Sequence, residues 1–197
     1  MTGESVPLVG GSESDVALLT AENRILQRIA VDGPKTEVLD EIALAAEILC
    51  GDGIICSVLL LDPAGKHLLH GAAPSLPDDY NRAIHGIAIG PTVGSCGTAA
   101  YTRKQVIVSD IGKDPLWADF KDLALSHGLR ACWSTPIIGE NDKLLGTFAL
   151  YYNRASYPTK FAMRVIDSLT RAAAIAIEHC TADGSQQRKA SARPKPV

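Results

Sequence analysis

"ACWSTPIIGENDKLLGTFALYY", residues 131–152, is the stretch on which the fold turns. Two apolar runs rich in β-branched and aromatic residues flank "GEND" (139–142), whose four residues carry turn chemistry, so the stretch reads as an antiparallel hairpin. A second hairpin signal lies upstream, where "IICSVLLLD" (54–62) meets "KHLLHGA" (66–72) across "PAG" (63–65). Hairpins outnumber strand–helix–strand units. The sequence therefore predicts a mainly antiparallel sheet in an α+β fold.

Helical spacing brackets this sheet. Val16, Leu18, Leu19, Ile25, Leu26 and Ile29 predict a helix over 14–31. Val38, Leu39, Ile42, Ala45, Ala46 and Leu49 predict a second, closed by Gly51. A last helix runs from Pro158 or Thr159 to about 180, with Ala162, Val165, Ile166, Leu169, Ala173 and Ile177 on one face. Between the hairpins come a helix at 75–84, a strand at 87–90, a helix at 96–103 capped by Ser95, and a strand at 105–110. A further helix opens at Asp114-Pro115 and ends at Gly128. The expected architecture has about six strands, with the terminal helices on one face. Segment 72–130 covers the other face, and a ligand pocket belongs beneath it.

The chain has 197 residues and a formal net charge of -3, which fits one domain (14–180) between polar tails at 1–13 and 181–197. Mild acidity argues against a nucleic-acid or anionic-membrane surface. Arg188, Lys189, Arg193 and Lys195 read as a solvated end rather than a nucleic-acid arm. No apolar run approaches the roughly 20 residues of a membrane span, and no secretory signal is visible, so a cytoplasmic location is expected. Cys50, Cys56, Cys96, Cys132 and Cys180 form no C-x-x-C and match no zinc spacing; they read as buried thiols. The five histidines make no helical metal-binding pair, and neither a metal nor another cofactor is expected. His70 and His127 remain candidates for pH-sensitive pocket residues. No nucleophile-elbow, P-loop or paired-carboxylate motif appears, which favours binding over chemistry.

Three groups of residues could make a site. In "VGSCG" (93–97), Cys96 at a helix start could be a thiolate, the amides of Val93 to Gly97 could hold an anion, or Ser95 could simply cap the helix. Trp117 and Phe120, three residues apart, either dock a helix or wall the pocket. Arg130, Trp133, Ser134 and Thr135 follow. Arg130 could neutralise an anion or pair with Asp119 or Asp122 on the surface. Along the strand Ala131, Trp133 and Thr135 share one face, and Cys132, Ser134 and Pro136 the other. Which face lines the pocket is open at this stage.

The segments "VGSCGTAAYTRKQVIVSDI", "DPLWADFKDLALSHGLRACWSTPI" and "KLLGTFALYY", in that order, resemble a GAF domain over about residues 20 to 180. "HGAAPSLP", "DPLWADF" and "GLRACWSTPI" are similar to GAF modules of bacterial sensor kinases and cyclic-dinucleotide enzymes, and more loosely to a free-standing GAF nitrate sensor. The resemblance implies a small-ligand pocket under the covered sheet face and homodimer contacts through the terminal helices. It does not fix the ligand. The expected function is a non-catalytic sensor of a nitrate-like anion or small metabolite. No kinase ATP site, cyclase segment or helix-turn-helix is seen, so the expected output is a separate partner such as a kinase or transcription regulator.

Two alternatives stand beside this. "GSCG" (94–97) resembles the free methionine-(R)-sulfoxide reductases, whose chemistry needs a second cysteine. Cys132, four residues before Pro136 inside an expected strand, does not stand where that branch places it. The other alternative is an interaction module with a vestigial pocket, associating through Leu18, Leu19, Ile25 and Ile29.

Overall fold

The computed structural model describes residues 13–51 and 53–180; the expectations for the two tails lie outside the described residues. Six strands form one antiparallel sheet in the order β3-β2-β1-β6-β5-β4. β1 (Ile54–Leu61) and β2 (His67–Ala72) make the first hairpin, and β5 (Ala131–Ile138) and β6 (Leu144–Tyr152) the second. β1 and β6 pair at the centre, while β3 (Ile87–Ala88) and β4 (Val106–Val108) are short edges. The second turn is sharp because Asn141 and Asp142 adopt left-handed backbone, which short polar side chains tolerate.

Helices α1 (Glu13–Ala30), α2 (Lys35–Cys50) and α6 (Lys160–His179) cover one face. α6 presents Val165, Ile166, Leu169, Ala172, Ala173 and Ala176 to the sheet, a spacing of three and four that keeps one stripe buried. Its alanines allow close approach to Trp133, Phe148 and Leu150, which belong to the same core. Thr159 starts the helix by accepting from the Ala162 amide at 3.0 Å. An Arg164–Asp15 ion pair ties α6 to α1.

A second core lies on the opposite face, under α3 (Asp78–Ile84), α4 (Gly94–Thr102), a 3-10 turn (Pro115–Trp117) and α5 (Lys121–Ser126). The α+β expectation is met, with the helices and the covered face arranged as read. Two local expectations need correction. Ser95 does not cap α4, because the helix begins at Gly94 with Val93 at the cap position. The helix expected from Asp114 is broken in two, so Trp117 and Phe120 do not share a helical face. Asp114 does cap the first piece, accepting from Leu116 N at 2.9 Å.

No described helix is long and apolar enough to cross a membrane.

Candidate ligand chamber

The face that sequence left open is decided by alternation. Ala131, Trp133 and Ile137 join the core under α6, so Cys132, Ser134 and Pro136 face the covered side. There the sheet is small and polar around Ala149: Ser57 and Ser134 flank it in register on β1 and β5, and Thr147 and Tyr151 lie two residues either way along β6. α4, "GSCGTAAYT", is equally small, and every residue from Gly94 to Ala100 is buried against this patch. At Gly97 a Cβ would stand 2.9 Å from the Ala88 carbonyl and closer still to Val93, so only glycine lets α4 pass.

A partly open cavity of about 30 Å³ remains between α4, the sheet and a lid made of α3, the 3-10 turn and α5. Val93, Gly94, Ser95, Cys96, Trp117 and Phe120 line it, as the sequence proposed. Tyr80 and Ile84 of α3, Leu123 of α5, Leu59, Ile87 and Tyr151 complete it, and sequence reasoning missed these. The signals were present: Tyr80 and Ile84 are four apart on a short amphipathic helix, and Tyr151 shares a strand face with Ala149 and Thr147. Among the described residues, no lysine, arginine or histidine lines the cavity.

Ser95 is the hub. Its Oγ accepts from Trp117 Nε1 at 3.0 Å and donates to the Cys132 carbonyl at 3.1 Å, tying lid, α4 and sheet together. Of the amides of 93–97, that of Val93 is engaged, donating to Thr98 Oγ1 at 3.1 Å. Gly97 lies on the same helix, away from the cavity lining, with its carbonyl accepting from Gly90 N at 3.2 Å.

The other candidates lie elsewhere, for reasons of strand parity and exposure. Trp133 is on the α6 side, its Nε1 donating to the Ser156 carbonyl at 3.1 Å. Thr135 shares that parity and accepts from Gln105 Nε2 at 2.8 Å. Arg130 is exposed, and the carboxylate it stabilises is Asp110, not Asp119 or Asp122. Ser134 is buried on the α4 side of the sheet and is not among the residues that line the cavity.

Cys132 is a buried free thiol, as read, and shares the core on this face with Cys96, whose Sγ lies 3.9 Å from the Tyr151 hydroxyl. The Cys132 thiol first, and then the Ser134, Tyr151 and Thr147 hydroxyls, favour the Cys96 thiolate and hold its pKa below the ordinary thiol value despite burial. Burial pushes the Cys132 thiol well up from its ordinary value, and the Cys50 thiol up to about 12.

A clasp closes the chamber. His127 Nε2 meets Asp79 Oδ2 at 3.1 Å, linking α5 to α3, while Nδ1 is 2.9 Å from the Leu123 carbonyl and the ring stands edge-on to Tyr80 at 5.3 Å. The Leu123 carbonyl and then the Asp79 carboxylate raise the His127 pKa above 6.5, and the His127 hydrogen bond lowers that of Asp79 below 3.8. The raised histidine contributes fully below 6.5 and its contribution is lost as pH rises through the raised value. The depressed aspartate contributes above 3.8 and is lost as pH falls through the depressed value. Amide protection in α3, exchange taken relative to its intrinsic base-catalysed rate, is therefore expected to be greatest between those limits and to show a step down as pH rises past the His127 pKa. In His127→Gln that alkaline step should vanish; an unchanged step would show that the clasp does not hold the lid.

The family model for the GAF domain matches residues 34–178. The chain belongs to the GAF family. This GAF domain is 39% identical over 165 residues to the methyl sulfide methyltransferase-associated sensor of Methanosarcina acetivorans, a match covering 84% of this chain and 16% of that protein. It thus spans only a small part of the length of that curated relative. Among solved structures, a GAF sensor protein from Burkholderia vietnamiensis superposes with TM-score 0.66 at 18% identity, covering 86% of this chain and 96% of that one. A free methionine-R-sulfoxide reductase from Neisseria meningitidis, in complex with its substrate, superposes with TM-score 0.63 at 14% identity, covering 94% and 99%. At these identities the structures share the fold.

Proposed function

We propose that this GAF domain is a non-catalytic sensory module whose chamber takes a small, uncharged, largely apolar metabolite. The observation that carries the reading is the lining: aromatic and aliphatic side chains with two tyrosines and a tryptophan, and no cationic group. A nitrate-like anion would lose most of its hydration on entry without a charge to replace it, so the lining favours the metabolite over the anion. Two relatives bear the word sensor in their names, which supports the sensory role. At about 30 Å³ the closed chamber holds little more than a water molecule, so a ligand enters by displacing α3 and α5. Its binding energy then shifts the lid equilibrium only by its preference for the open form.

The output runs through the other helical layer. α1 and α2 expose Val16, Leu19, Leu26, Leu44 and Ile48, Leu19 at 58% and Ile48 at 78%, which is more apolar surface than a solvated pair of helices carries without cause. A homodimer through these helices, engaging an output partner such as a kinase or transcription regulator, fits that surface. Leu19→Lys with Ile48→Lys is expected to leave a monomer in sedimentation velocity while wild type is dimeric; a monomeric wild type would remove the dimer from the proposal.

The test of the ligand class is a thermal-shift titration with uncharged aromatic and aliphatic metabolites against nitrate, amino acids and cyclic nucleotides. Stabilisation by the first group alone is the expected result. Stabilisation by nitrate alone would overturn the reading.

A further inference from the structure

We propose that Cys96 and Cys132 form a buried dithiol that hydrogen peroxide converts to a disulfide, giving the domain a redox input separate from its ligand. The geometry brings the two together independently of the rest of the site. Ser95 Oγ pins the first turn of α4 to the Cys132 carbonyl at 3.1 Å, Cys132 is in register with Tyr151 on β6, and the Tyr151 hydroxyl is 3.9 Å from Cys96 Sγ. Cys96 and Cys132 belong to one buried cluster, and each thiol shifts the titration of the other.

A second observation points to a reacting sulfur. Ser57, Ser134 and Thr147 are fully buried on this sheet face, and their hydroxyl oxygens have no formed hydrogen bond. Buried hydroxyls without partners are costly and rare. Ser134 and Thr147 face the Cys96 sulfur, and Ser57 faces the Tyr151 hydroxyl beside it. A thiol is a weak acceptor, whereas a thiolate is a strong one. Donors that lack an acceptor while Cys96 is protonated gain one when it ionises. Among the cysteines, Cys50, Cys56, Cys132 and Cys180 are all shifted the other way, chiefly by burial.

Cys96 lines the cavity, whose volume of about 30 Å³ admits a molecule as small as hydrogen peroxide. The Cys96 thiolate attacks one peroxide oxygen, the O–O bond breaks, and the leaving hydroxide takes a proton to become water. Cys96 is then a sulfenic acid. The Cys132 sulfur attacks the Cys96 sulfur, the S–O bond breaks, and the departing hydroxide takes the Cys132 proton as a second water. Two electrons pass from the dithiol to peroxide. The new bond draws Cys132 against α4, so the Ser95 bridge carries the change to Trp117 in the lid.

The test is peroxide titration of the folded, reduced protein, followed by blocking of free thiols and peptide mapping. The expected product is an intramolecular Cys96–Cys132 link with Cys50, Cys56 and Cys180 still free. In Cys132→Ser, a dimedone adduct should accumulate on Cys96 instead. Ser134→Ala with Thr147→Val should slow peroxide consumption about fivefold near neutral pH, the effect of raising a thiol pKa by about one unit. A wild-type map showing no Cys96–Cys132 link, or oxidation of Cys50 or Cys180 ahead of Cys96, would overturn the proposal even if every variant failed to fold. Formation of the link with free methionine sulfoxide but not with peroxide would also overturn it, and would assign the pair to sulfoxide reduction.

Discussion

Trp117→Ala is expected to cost about 4 kcal/mol of stability, within the range for truncating a buried aromatic side chain. For a domain of this size that is a fall in melting temperature of roughly 10 °C. Trp117 is buried, fills the chamber wall against Gly94 and Ser95, and lies in a three-residue 3-10 turn with little helix of its own to hold it. Its loss removes the ring contacts and the donor to Ser95 Oγ together. Trp117→Phe should recover most of the stability, because an aromatic ring still fills the chamber wall and Ser95 can still donate to the Cys132 carbonyl. If the alanine variant melts within a few degrees of wild type, the lid is not packed as described. Ligand stabilisation is expected to disappear in the alanine variant even at temperatures where it is folded.

Gly146→Ala should be worse tolerated than any surface glycine change. Gly146 is the third residue of β6, a central strand of the sheet, opposite Leu60 on β1 and Ile137 on β5. A Cβ there would overlap the Leu59 carbonyl oxygen and stand 3.0 Å from its carbon and 3.1 Å from the Leu60 Cα. The obstructing atoms are backbone of the neighbouring central strand, so no rotamer change relieves them. Either the β1–β6 pairing shifts or the domain loses about 3 kcal/mol or more, the upper end of overpacking costs. Gly65→Ala is the control: Gly65 is in the open β1–β2 turn with no atom within 4 Å, and its cost comes only from left-handed backbone. Equal melting temperatures for the two variants would contradict the packing at β1–β6.

The architecture was legible because its cues are local. Two hairpins announced themselves by turn residues between β-rich runs, and α6 by six apolar positions at one spacing. Half of the chamber was legible for the same reason: "VGSCG" and "DPLWADF" advertise a tight turn and exposed-looking aromatics that need burial. What stayed hidden depends on long-range placement. Strand parity places Trp133 under α6 and Cys132 under α4, yet "ACWSTPI" reads equally well with either face inward, since both alternate sets mix polar and apolar residues. The Cys96–Cys132 contact joins two residues far apart in sequence, and spacing within β5 says nothing about which helix crosses it. The break between Trp117 and Phe120 was masked by a helical pattern that continues through it. Tyr80 and Tyr151 pack edge-on at 5.9 Å across the chamber, a pairing no linear pattern records.

The account's central claim is that the ligand enters the chamber beneath α3 and α5 and not the α6 side of the sheet. The chain has two tryptophans, and the fold places one on each side: Trp117 in the chamber wall and Trp133 against α6. Their indole N–H signals in a proton–nitrogen correlation spectrum, assigned with Trp117→Phe, therefore report on the two faces separately. Titration with a ligand that raises the melting temperature is predicted to move the Trp117 signal, whose proton is donated to Ser95, and to leave the Trp133 signal near its free position. Movement of the Trp133 signal while that of Trp117 stays fixed would contradict the account.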